Sequence, residues 1–483
     1  MANLTVTARR GAPEETAADT RVVGLFEGES PAEPLLRRLV DLGEAKPGLK
    51  KVALAHEDAP GGGERRVLVA GLGKREEFDA ERARVAAAAA AERAKELGAV
   101  SLSWAAPAAD GVAGAIVEGT LLRLYSFDRF KSNRNENGDE GVESLEVAGD
   151  SVDEAEVERA RVTAVAANAA RDLQNLPSNV ATPTFLAERA AEIAEQHEAL
   201  EVELLDREAI TARGMGAFVA VAQGTDADPR LIVLRHRPAG ARGPHLGYVG
   251  KAVTFDTGGI SIKPSSKMHE MKFDMSGGAA VIEAMGAVAQ LGVPATITAV
   301  VPATENMPSG HAIKPGDIVT AMNGTTIEVN NTDAEGRLIL ADALCYAIEQ
   351  GVERIVDLAT LTGAILVALG HTYAGLFSND DDWFAEVEAA GAATGEVGWR
   401  MPLHPEFQEL TKGEYADLTN AAEQRLASSS YAAEFLRRFV DGRPWVHMDI
   451  AGTAWGLTRN YTGKGASGFG TRTLVELARR ASS

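Results

Sequence analysis

Cysteine is nearly absent from this chain, which contains one, Cys345, in 483 residues. A single cysteine excludes an internal disulfide and any metal cluster held by several thiolates. It lies on the apolar face of a predicted helix, so we expect it to pack in the core.

Long apolar runs are missing too. The longest, residues 85–91 and 363–370, are far shorter than the roughly 18 residues that a membrane-spanning helix requires. The N-terminal residues include no apolar segment of the kind found in signal peptides. We therefore expect a soluble, cytoplasmic protein that does not associate with a membrane.

Basic residues are fewer than acidic ones. The chain has 48 Lys and Arg against 69 Asp and Glu, which gives a net charge of -21 and a pI near 5.0. Such a surface disfavours non-specific binding to nucleic acid or to an anionic membrane. We expect neither as a partner.

Length and composition point to an α/β protein with two domains. The chain is longer than one ordinary hydrophobic core supports, and its 45% hydrophobic and 24% charged residues are typical of a globular protein. We assign residues 1–150 to a smaller N-terminal α/β domain and residues 151–483 to a larger C-terminal domain. A helix at about residues 151–173 is the expected connector.

Both domains alternate strand and helix patterns. In the first we predict strands at residues 21–26, 51–56, 66–71, 101–104 and 143–148, and helices at 79–97 and 112–124. In the second we predict strands at residues 231–235, 246–253, 296–302 and 354–358, and helices at 183–196 and 276–291. This pattern indicates a mixed sheet sandwiched by helices, with the functional site at the strand ends.

Residues 330–338, NNTDAEGRL, join a strand to a helix. They follow two short β-type runs around Asn323-Gly324, a pair that favours a type I′ hairpin turn. A helical pattern follows, and Gly351 is its expected C-cap.

Two carboxylates are expected to project together from this stretch. In an extended segment Asp333 and Glu335 face the same side, and Gly336 lets the backbone approach closely. Two carboxylates beside Arg337 are costly to bury without a cation, which favours a divalent metal site with an arginine for an anion at its edge. The alternative is a solvated helix N-terminus whose acids complement the helix dipole.

Residues 251–278 supply a second charged cluster at predicted strand ends. It includes Lys251, Asp256, Lys263 and Asp274, set among apolar, small or hydroxylic residues. Lys251 and Asp256 would face opposite sides of a straight strand, so we predict a bulge near residues 254–256. Gly258-Gly259 is an expected tight turn, and the N-terminus of the next helix is expected to favour an ionised Asp274.

These two clusters together resemble the leucyl aminopeptidase family of two-metal exopeptidases, also called cytosol aminopeptidases. The resemblance runs from about Arg171 to the C-terminus. It extends to NLPS at residues 175–178, DLATLTG at 357–363, WVHMDIAG at 445–452 and the stretch 465–474. The N-terminal domain has no motif of equal specificity.

The residues offer four carboxylates that two divalent ions would neutralise, a pair suited to amide hydrolysis. The resemblance assigns the ligands to Lys251, Asp256, Asp274, Asp333 and Glu335. Ligation dominated by carboxylates suits Mn²⁺ at least as well as Zn²⁺, so we expect one of these two metals. The resemblance implies that Asp256 and Glu335 are shared, that Asp274 and Lys251 complete the tighter site, and that Asp333 completes the more exchangeable one.

The resemblance also implies roles beyond the metals. Lys263 would stay protonated and stabilise the oxyanion, and Arg337 would hold bicarbonate. Met271, Thr360 and Leu361 would line the pocket for the first side chain, although Met271 is equally consistent with core packing. The implied enzyme is a homohexamer with active sites facing an interior cavity. It would release leucine and other apolar residues from peptides with a free N-terminus.

Two other functions use similar residues. A two-metal phosphatase or nuclease would share the carboxylates, but such sites usually recruit histidines and a more basic surface. A non-enzymatic scaffold would need neither lysine. The chain has no HExxH pattern, so we expect its other candidate zinc ligands to be structural or exposed, namely His269, His311, His371 and His447.

Overall fold

The computed structural model describes residues 4–132, 141–424, 426–457 and 459–482. Within them the chain forms two compact units. Unit 1 takes the described residues up to Asn168 together with residues 459–463, and unit 2 takes the remainder from Ala169 onward. No helix in these ranges has both the length and the apolar composition needed to span a bilayer.

Unit 1 is an α/β domain built on a six-stranded sheet. Its strands are β1 (Thr5–Arg9), β2 (Thr20–Phe26), β3 (Val52–Asp58), β4 (Glu64–Gly73), β5 (Ser101–Ala105) and β6 (Ser144–Ala148). Its helices are α1 (Pro34–Asp41), α2 (Ala80–Glu96) and α3 (Val112–Leu124), with 3-10 turns at Pro13–Glu15 and Arg75–Glu77. The order is β1-β6-β5-β2-β4-β3, parallel except where β3 pairs with β4.

The predicted strands and helices of unit 1 are all present, whereas β1 and α1 were not predicted. Helix α2 begins where expected because Asp79 caps it, accepting from the amide of Arg82 at 2.8 Å. Its buried alanines pack against α3 in the core of this unit. Helix α4 (Glu154–Asn175), the expected connector, contributes residues to both units, and a domain boundary near residue 150 stays a prediction.

Unit 2 contains a nine-stranded mixed sheet and a small three-stranded one. The strands are β7 (Leu200–Leu205), β8 (Arg230–His236), β9 (Arg242–Gly250), β10 (Ala252–Asp256), β11 (Ala295–Asn306), β12 (Asp317–Thr320), β13 (Thr326–Val329), β14 (Arg354–Ala359), β15 (Ala374–Ser378), β16 (Gly398–Arg400), β17 (Leu418–Thr419) and β18 (Trp445–Asp449). The helices are α5 (Pro183–Glu195), α6 (Arg207–Ala212), α7 (Gly216–Ala222), α8 (Ser276–Gln290), α9 (Gly336–Glu349), α10 (Gly363–Leu369), α11 (Asp381–Thr394), α12 (Pro405–Glu409), α13 (Ser428–Arg437) and α14 (Thr471–Ala481). A 3-10 helix, Met268–Met275, precedes α8.

Helices cover both faces of the large sheet, whose order is β16-β15-β18-β14-β9-β11-β8-β7 with β10 beside β11. Tyr248 on β9 donates its hydroxyl to the carbonyl of Leu474 on α14 at 2.9 Å. The next residue, Val249, packs in the core that contains Leu340 of α9. Neighbouring strand residues face opposite sides, so α14 and α9 lie on opposite faces. The predicted mixed sheet between helices is confirmed.

The strand predicted at residues 246–253 is two strands, β9 and β10, which separate at Lys251. The bulge expected near residues 254–256 is confirmed, because the register of β10 against β11 shifts between Val253 and Asp256. The tight turn is also confirmed, with φ of +87° at Gly258 and +67° at Gly259. Both irregularities redirect side chains toward one end of the sheet.

The predicted hairpin is present as β12 and β13, but its turn is not type I′. That turn needs a positive φ at both central residues, and Asn323 does not adopt one, whereas Gly324 has φ of +86°. The amide of Gly324 donates to the carbonyl of Ala321 at 2.8 Å. The loop between β12 and β13 is longer than the two residues of a type I′ hairpin, and such a loop suits a turn in which only Gly324 has a positive φ.

The carboxyl ends of four strands meet at one edge of the large sheet. Strands β10, β11, β14 and β18 end at Asp256, Asn306, Ala359 and Asp449, and each runs parallel to a neighbour in this group or to β9. Ligand sites form at such edges in α/β proteins. The candidate site includes the last residue of β10, residues that follow β10 and β14, Lys251 just before β10, and two acids that follow β13.

Candidate metal centre

Lys251 is held at the break between β9 and β10, where the residue is 2% exposed. Its ammonium contacts Asp274 Oδ2 at 2.7 Å and Glu335 Oε1 at 2.8 Å. It also donates to the carbonyl of Thr360 at 3.1 Å. One buried cation therefore joins the end of the 3-10 helix, the start of α9 and the loop after β14.

Lys263 makes the corresponding contacts on the other side of the cluster. Its ammonium lies 2.8 Å from Asp256 Oδ2 and also forms an ion pair with Asp333 Oδ1. The tight turn after β10 returns the chain to this point, because the amide of Lys263 donates to the carbonyl of Thr257 at 2.9 Å. The four predicted acids thus share two lysines.

The arrangement of the acids fits divalent cations. Asp256, Asp333 and Glu335 each present one oxygen, and these three atoms lie within 4.8 Å of one another. Two buried oxygens, Asp274 Oδ2 and Asp333 Oδ1, accept no hydrogen bond of standard geometry from the described residues, although each forms an ion pair with a lysine ammonium. Four carboxylates against two ammoniums leave an excess negative charge, and oxygen-rich donor sets suit hard divalent ions.

The acids perturb one another's protonation. Burial, together with repulsion from Asp256 and Glu335, raises the pKa of Asp333 to about 6. Burial also raises the pKa of Asp274 well above its usual range. Desolvation therefore opposes ionisation of Asp274 when only these protein groups are present, and the prediction that the helix N-terminus favours its ionised form stays a prediction.

The two lysines respond in the opposite sense. Burial disfavours the charge on Lys251, but the carboxylates of Asp274 and Glu335 outweigh it and raise the pKa of Lys251 above its ordinary value. The pKa of Lys263 is raised in the same way, with Asp256 the strongest attraction. Both side chains are therefore ammoniums when only these protein groups are present.

Asp333 and Glu335 converge, but not by the predicted extended backbone. The chain turns at this point, with the amide of Ala334 donating to the carbonyl of Asn331 at 3.2 Å, and Glu335 is already in helical conformation as the N-cap of α9. The close approach at Gly336 is confirmed, because a Cβ there would lie 2.7 Å from Nζ of Lys251. The start of a helix thus replaces an extended segment in bringing the acids together.

Arg337 lies in the first turn of α9 and is 7% exposed. One guanidinium nitrogen, Nη1, donates to the carbonyl of Asn420 at 2.6 Å, and the group lies 5.3 Å from the ring centroid of Tyr431. Its Nε is buried and has no hydrogen-bond partner among the described residues. Burial lowers the pKa of this guanidinium, which nevertheless stays charged. A buried, unsatisfied N–H donor suits a bound anion.

Of the three predicted pocket residues, Thr360 touches the cluster directly. Its hydroxyl donates to Asp274 Oδ1 at 2.6 Å, while its carbonyl accepts from Lys251. Leu361 follows it and is half-buried. Met271 is half-buried on the 3-10 helix, three residues before Asp274. A role for Leu361 and Met271 in a side-chain pocket stays a prediction.

The group of described residues that could hold a metal ion includes none of the four candidate histidines. His269 and His311 are exposed, and Nδ1 of His371 donates to the carbonyl of Gly452 at 2.8 Å. His447 is fully buried and pairs with Asp357 at 2.6 Å. Cys345 is half-buried against the core of unit 2, as its place on the apolar helix face suggested.

Sequence reasoning missed several polar residues that hold the ligand-bearing loops. The hydroxyl of Thr332 donates to the carbonyl of Gly258 at 2.6 Å and accepts from the amide of Ser261 at 2.8 Å. Asn420 accepts from the amides of Asn330 and Asn331 at 2.9 and 3.2 Å. Buried polar residues at strand ends are the only local signal for such contacts, because their partners lie far away in sequence.

Asp449 is another of these unpredicted residues and is fully buried. It accepts from the amide of Leu361 at 3.1 Å and from the hydroxyl of Thr362 at 2.6 Å. These bonds tie the loop after β14, which carries Thr360, to the end of β18.

Two family models match the chain. One, described as "Cytosol aminopeptidase family, catalytic domain", matches residues 168–475. The other, described as "Cytosol aminopeptidase family, N-terminal domain", matches residues 22–134. The second match covers a region in which we found no specific motif.

Individual proteins match over nearly the whole chain. A probable cytosol aminopeptidase of Solibacter usitatus is 46% identical over 98% of this chain and 99% of its own length, and one of Roseiflexus castenholzii is 44% identical over 99% of each. A solved structure of the bottromycin maturation enzyme BotP in complex with Mn is 34% identical, with a TM-score of 0.87, and the match covers 97% of this chain and 100% of that one. With both family models matched and relatives aligned from end to end, this chain belongs to the cytosol aminopeptidase family of metal-dependent exopeptidases.

Proposed function

We propose that the chain is a leucyl aminopeptidase that uses two divalent cations per subunit to release the first residue of a peptide, with leucine and other apolar residues preferred. The observation that carries this proposal is the cluster of four carboxylates around two lysines, in which negative charge exceeds positive charge. Membership of the aminopeptidase family supports the reaction class.

The proposed ligands are those of the cluster. Asp256 and Glu335 would be shared between the cations, Asp274 and Lys251 would complete the tighter site, and Asp333 would complete the exchangeable one. Two cations held by these residues would supply Lewis-acid chemistry for activating a water molecule and polarising the scissile carbonyl. Carboxylate ligands suit Mn²⁺, and Zn²⁺ also accepts them. The presence of Mn in the BotP complex supports manganese.

Lys251 can act as a ligand only as a neutral amine. Attraction from Asp274 and Glu335 keeps it protonated in the protein-only cluster, against the opposing effect of burial. Cations that neutralise these carboxylates would remove the attraction and leave the desolvation that favours the neutral amine. Burial disfavours the ammonium form of Lys251, and it therefore favours the neutral amine that could bind a metal.

Lys263 and Arg337 are the proposed catalytic groups. Lys263 is partly exposed at the cluster, so its ammonium can donate to the carbonyl oxygen of a bound peptide as negative charge develops there. The unsatisfied Nε of Arg337 is the proposed donor to a bicarbonate ion, which would supply a base for the proton of the attacking water. Both assignments follow the family resemblance.

A free N-terminus is the proposed recognition feature. A free α-amine could bind one cation directly while the carbonyl oxygen binds the other, so a peptide with an acylated N-terminus would lose affinity. Thr360, Leu361 and Met271 are the proposed walls for the first side chain, and the last two are partly exposed apolar residues that would favour leucine.

We further propose a cytosolic homohexamer. The names of the relatives support the location. Large apolar side chains on the surface of unit 2, among them Val367 at 89% exposure and Trp399 at 58%, support burial between copies. Light scattering should give a mass six times that of the 50.8 kDa chain. A monomer would contradict the assembly.

The function is tested by chelating the purified protein and restoring Mn²⁺ or Zn²⁺. We expect hydrolysis of leucine p-nitroanilide to depend on the metal, about two cations to bind per chain, and neither N-acetyl-leucine p-nitroanilide nor p-nitrophenyl phosphate to be cleaved. Cleavage of the phosphate ester instead would favour the phosphatase alternative. Comparable turnover of the acetylated substrate would contradict recognition of the free amine.

A matched pair of lysine variants separates the site from the surface. Lys263→Ala removes a cation that contacts Asp256 and Asp333, and we expect activity to fall by at least about 100-fold, the size of effect seen when one oxyanion donor is lost. Lys314→Ala is the control, because Lys314 is exposed and pairs with Asp317 alone in its ion-pair contacts. Equal activity in the two variants would support the scaffold alternative.

A further inference from the structure

Asn306 lies where the two ligand-bearing loops meet. It is the last residue of β11, is 2% exposed, and pairs in parallel register with Asp256, the last residue of β10. An asparagine at this depth needs partners for its amide, because an unsatisfied buried polar group is costly.

The side-chain amide of Asn306 donates twice. Nδ2 lies 2.8 Å from Asp256 Oδ1 and 3.0 Å from the carbonyl oxygen of Thr332, the residue before Asp333. An amide NH₂ has two hydrogens, so both bonds can form together. Both partners are acceptors, which determines the orientation of the amide, since the rotated form would place a carbonyl oxygen against each.

The backbone carbonyl and the side-chain oxygen of Asn306 also contact neighbouring residues. Its backbone carbonyl accepts from the amide of Thr257 at 3.0 Å and from its hydroxyl at 2.8 Å. Its side-chain oxygen packs against Gly259, where a Cβ would lie only 2.7 Å away. Asn306 is therefore held on three sides by the loop that carries Asp256.

The hydrogen bonds to Asp256 determine which of its carboxylate oxygens is available to a cation. Oδ1 accepts one hydrogen bond from Asn306 and another from the amide of Gly258 at 2.9 Å, so its hydrogen-bonding capacity is used within the protein. Oδ2 is the oxygen that faces the cluster, where it contacts Lys263. The second bond, to Thr332, holds the loop of Asp333 at a set distance from Asp256.

We propose that Asn306 is a positioning residue for the metal centre. Its amide orients Asp256 and couples the loops of Asp256 and Asp333, so that both acids meet the same cation without any contact between Asn306 and the metal. This inference rests on the proposed binding of divalent cations by these acids. Groups that orient metal ligands typically contribute about 10- to 100-fold to affinity.

The test is Mn²⁺ binding by calorimetry to the chelated full-length protein and its variants. Asn306→Asp keeps the shape but replaces the donor with an oxygen that faces two acceptors. We expect its Mn²⁺ affinity to fall by about 100-fold at one or both sites, and that of Asn306→Ala by about 10-fold. Since the effect acts through the metal, raising Mn²⁺ should restore kcat in Asn306→Ala while KM for leucine p-nitroanilide stays near that of the unaltered protein.

Asn168→Asp is the matched control. Asn168 is equally buried, at 2%, and its Nδ2 also donates to a carbonyl, that of Leu121 at 3.1 Å, but it lies in unit 1. We expect this variant to lose stability without losing Mn²⁺ affinity. Circular dichroism identifies variants that do not fold. If Asn306→Asp does not fold, the Mn²⁺ affinity of Asn306→Ala tests the inference instead.

The possible results separate the two proposals. Unchanged or tighter Mn²⁺ binding in a folded Asn306 variant overturns the inference while leaving the proposed function intact. Equal weakening in Asn168→Asp also overturns it, because the effect would then be general. If the unaltered protein binds no Mn²⁺ or Zn²⁺, the proposed function itself fails.

Discussion

Thr362 donates its hydroxyl to Oδ2 of Asp449 at 2.6 Å, and both side chains are buried. The other oxygen of Asp449 accepts from the amide of Leu361 at 3.1 Å. The loop between these residues and β14 presents Thr360 to the cluster, where it contacts Lys251 and Asp274. A carboxylate at the end of β18 therefore holds in place one loop of the candidate metal centre.

Replacing this support should affect stability and activity together. We expect Asp449→Ala to lower the free energy of unfolding by about 3 kcal/mol, because buried donors lose a charged acceptor. We also expect kcat/KM to fall by roughly 10- to 100-fold as the loop that bears Thr360 loosens. Urea denaturation and steady-state kinetics measure the two effects. Asp110→Ala, at an exposed position, is the control, and a variant with full activity would contradict the supporting role of Asp449.

Gly336 should tolerate no side chain. A Cβ there would lie 2.7 Å from Nζ of Lys251, which is pinned by two ion pairs and cannot move aside cheaply. We expect Gly336→Ala to weaken metal binding and lower kcat/KM by roughly 10- to 100-fold, as displaced metal-site groups do. Gly310→Ala, which has open space around it, is the matched control. Equal kinetics for the two variants would show that Lys251 is free to move.

Removing metal should destabilise the fold. The carboxylates outnumber the lysines of the cluster, so bound cations should stabilise the native state by mass action, by about 2.7 kcal/mol at 100 times the Kd. Thermal unfolding with Mn²⁺ and with a chelator measures the shift. The Asp256→Asn, Glu335→Gln double variant should show none. An equal shift in that variant would place the stabilising cation elsewhere.

The buried pair His447 and Asp357 should make stability depend on pH. Burial disfavours the charged imidazole, but attraction to Asp357 and their 2.6 Å hydrogen bond outweigh it and raise the pKa of His447 above 6.5. A raised folded-state pKa means that the contribution of His447 is complete below pH 6.5 and is lost as the pH rises through the folded value. The decline therefore begins on the alkaline side of pH 6.5.

Urea midpoints of the chelated protein at pH 6, 7 and 8 test this linkage. We expect His447→Gln to be less stable throughout but to show a smaller decline between pH 6 and pH 8. Chelation matters because metal binding itself releases protons. Identical slopes would mean that His447 keeps the same protonation state when folded and unfolded.

Local patterns predicted much of the framework. The Ala-rich run at residues 79–97 predicted α2, and side-chain parity between Lys251 and Asp256 predicted the bulge that the register of β10 confirms. The turn at Asn323-Gly324 was wrong in type because the turn depends on loop length as well as on residue preference. Strand β1 and helix α1 were missed altogether.

The sequence alone determined the chemistry of the candidate site, because its acids and lysines occur in two short stretches whose residue types and order resemble one family. Only the tertiary structure decided how those groups are held. The amide of Asn306 reaches Asp256 across 50 residues, and the hydroxyl of Thr362 reaches Asp449 across 87. Such hydrogen bonds join segments that share no local periodicity, so their geometry exists only once the sheet has brought the strand ends together.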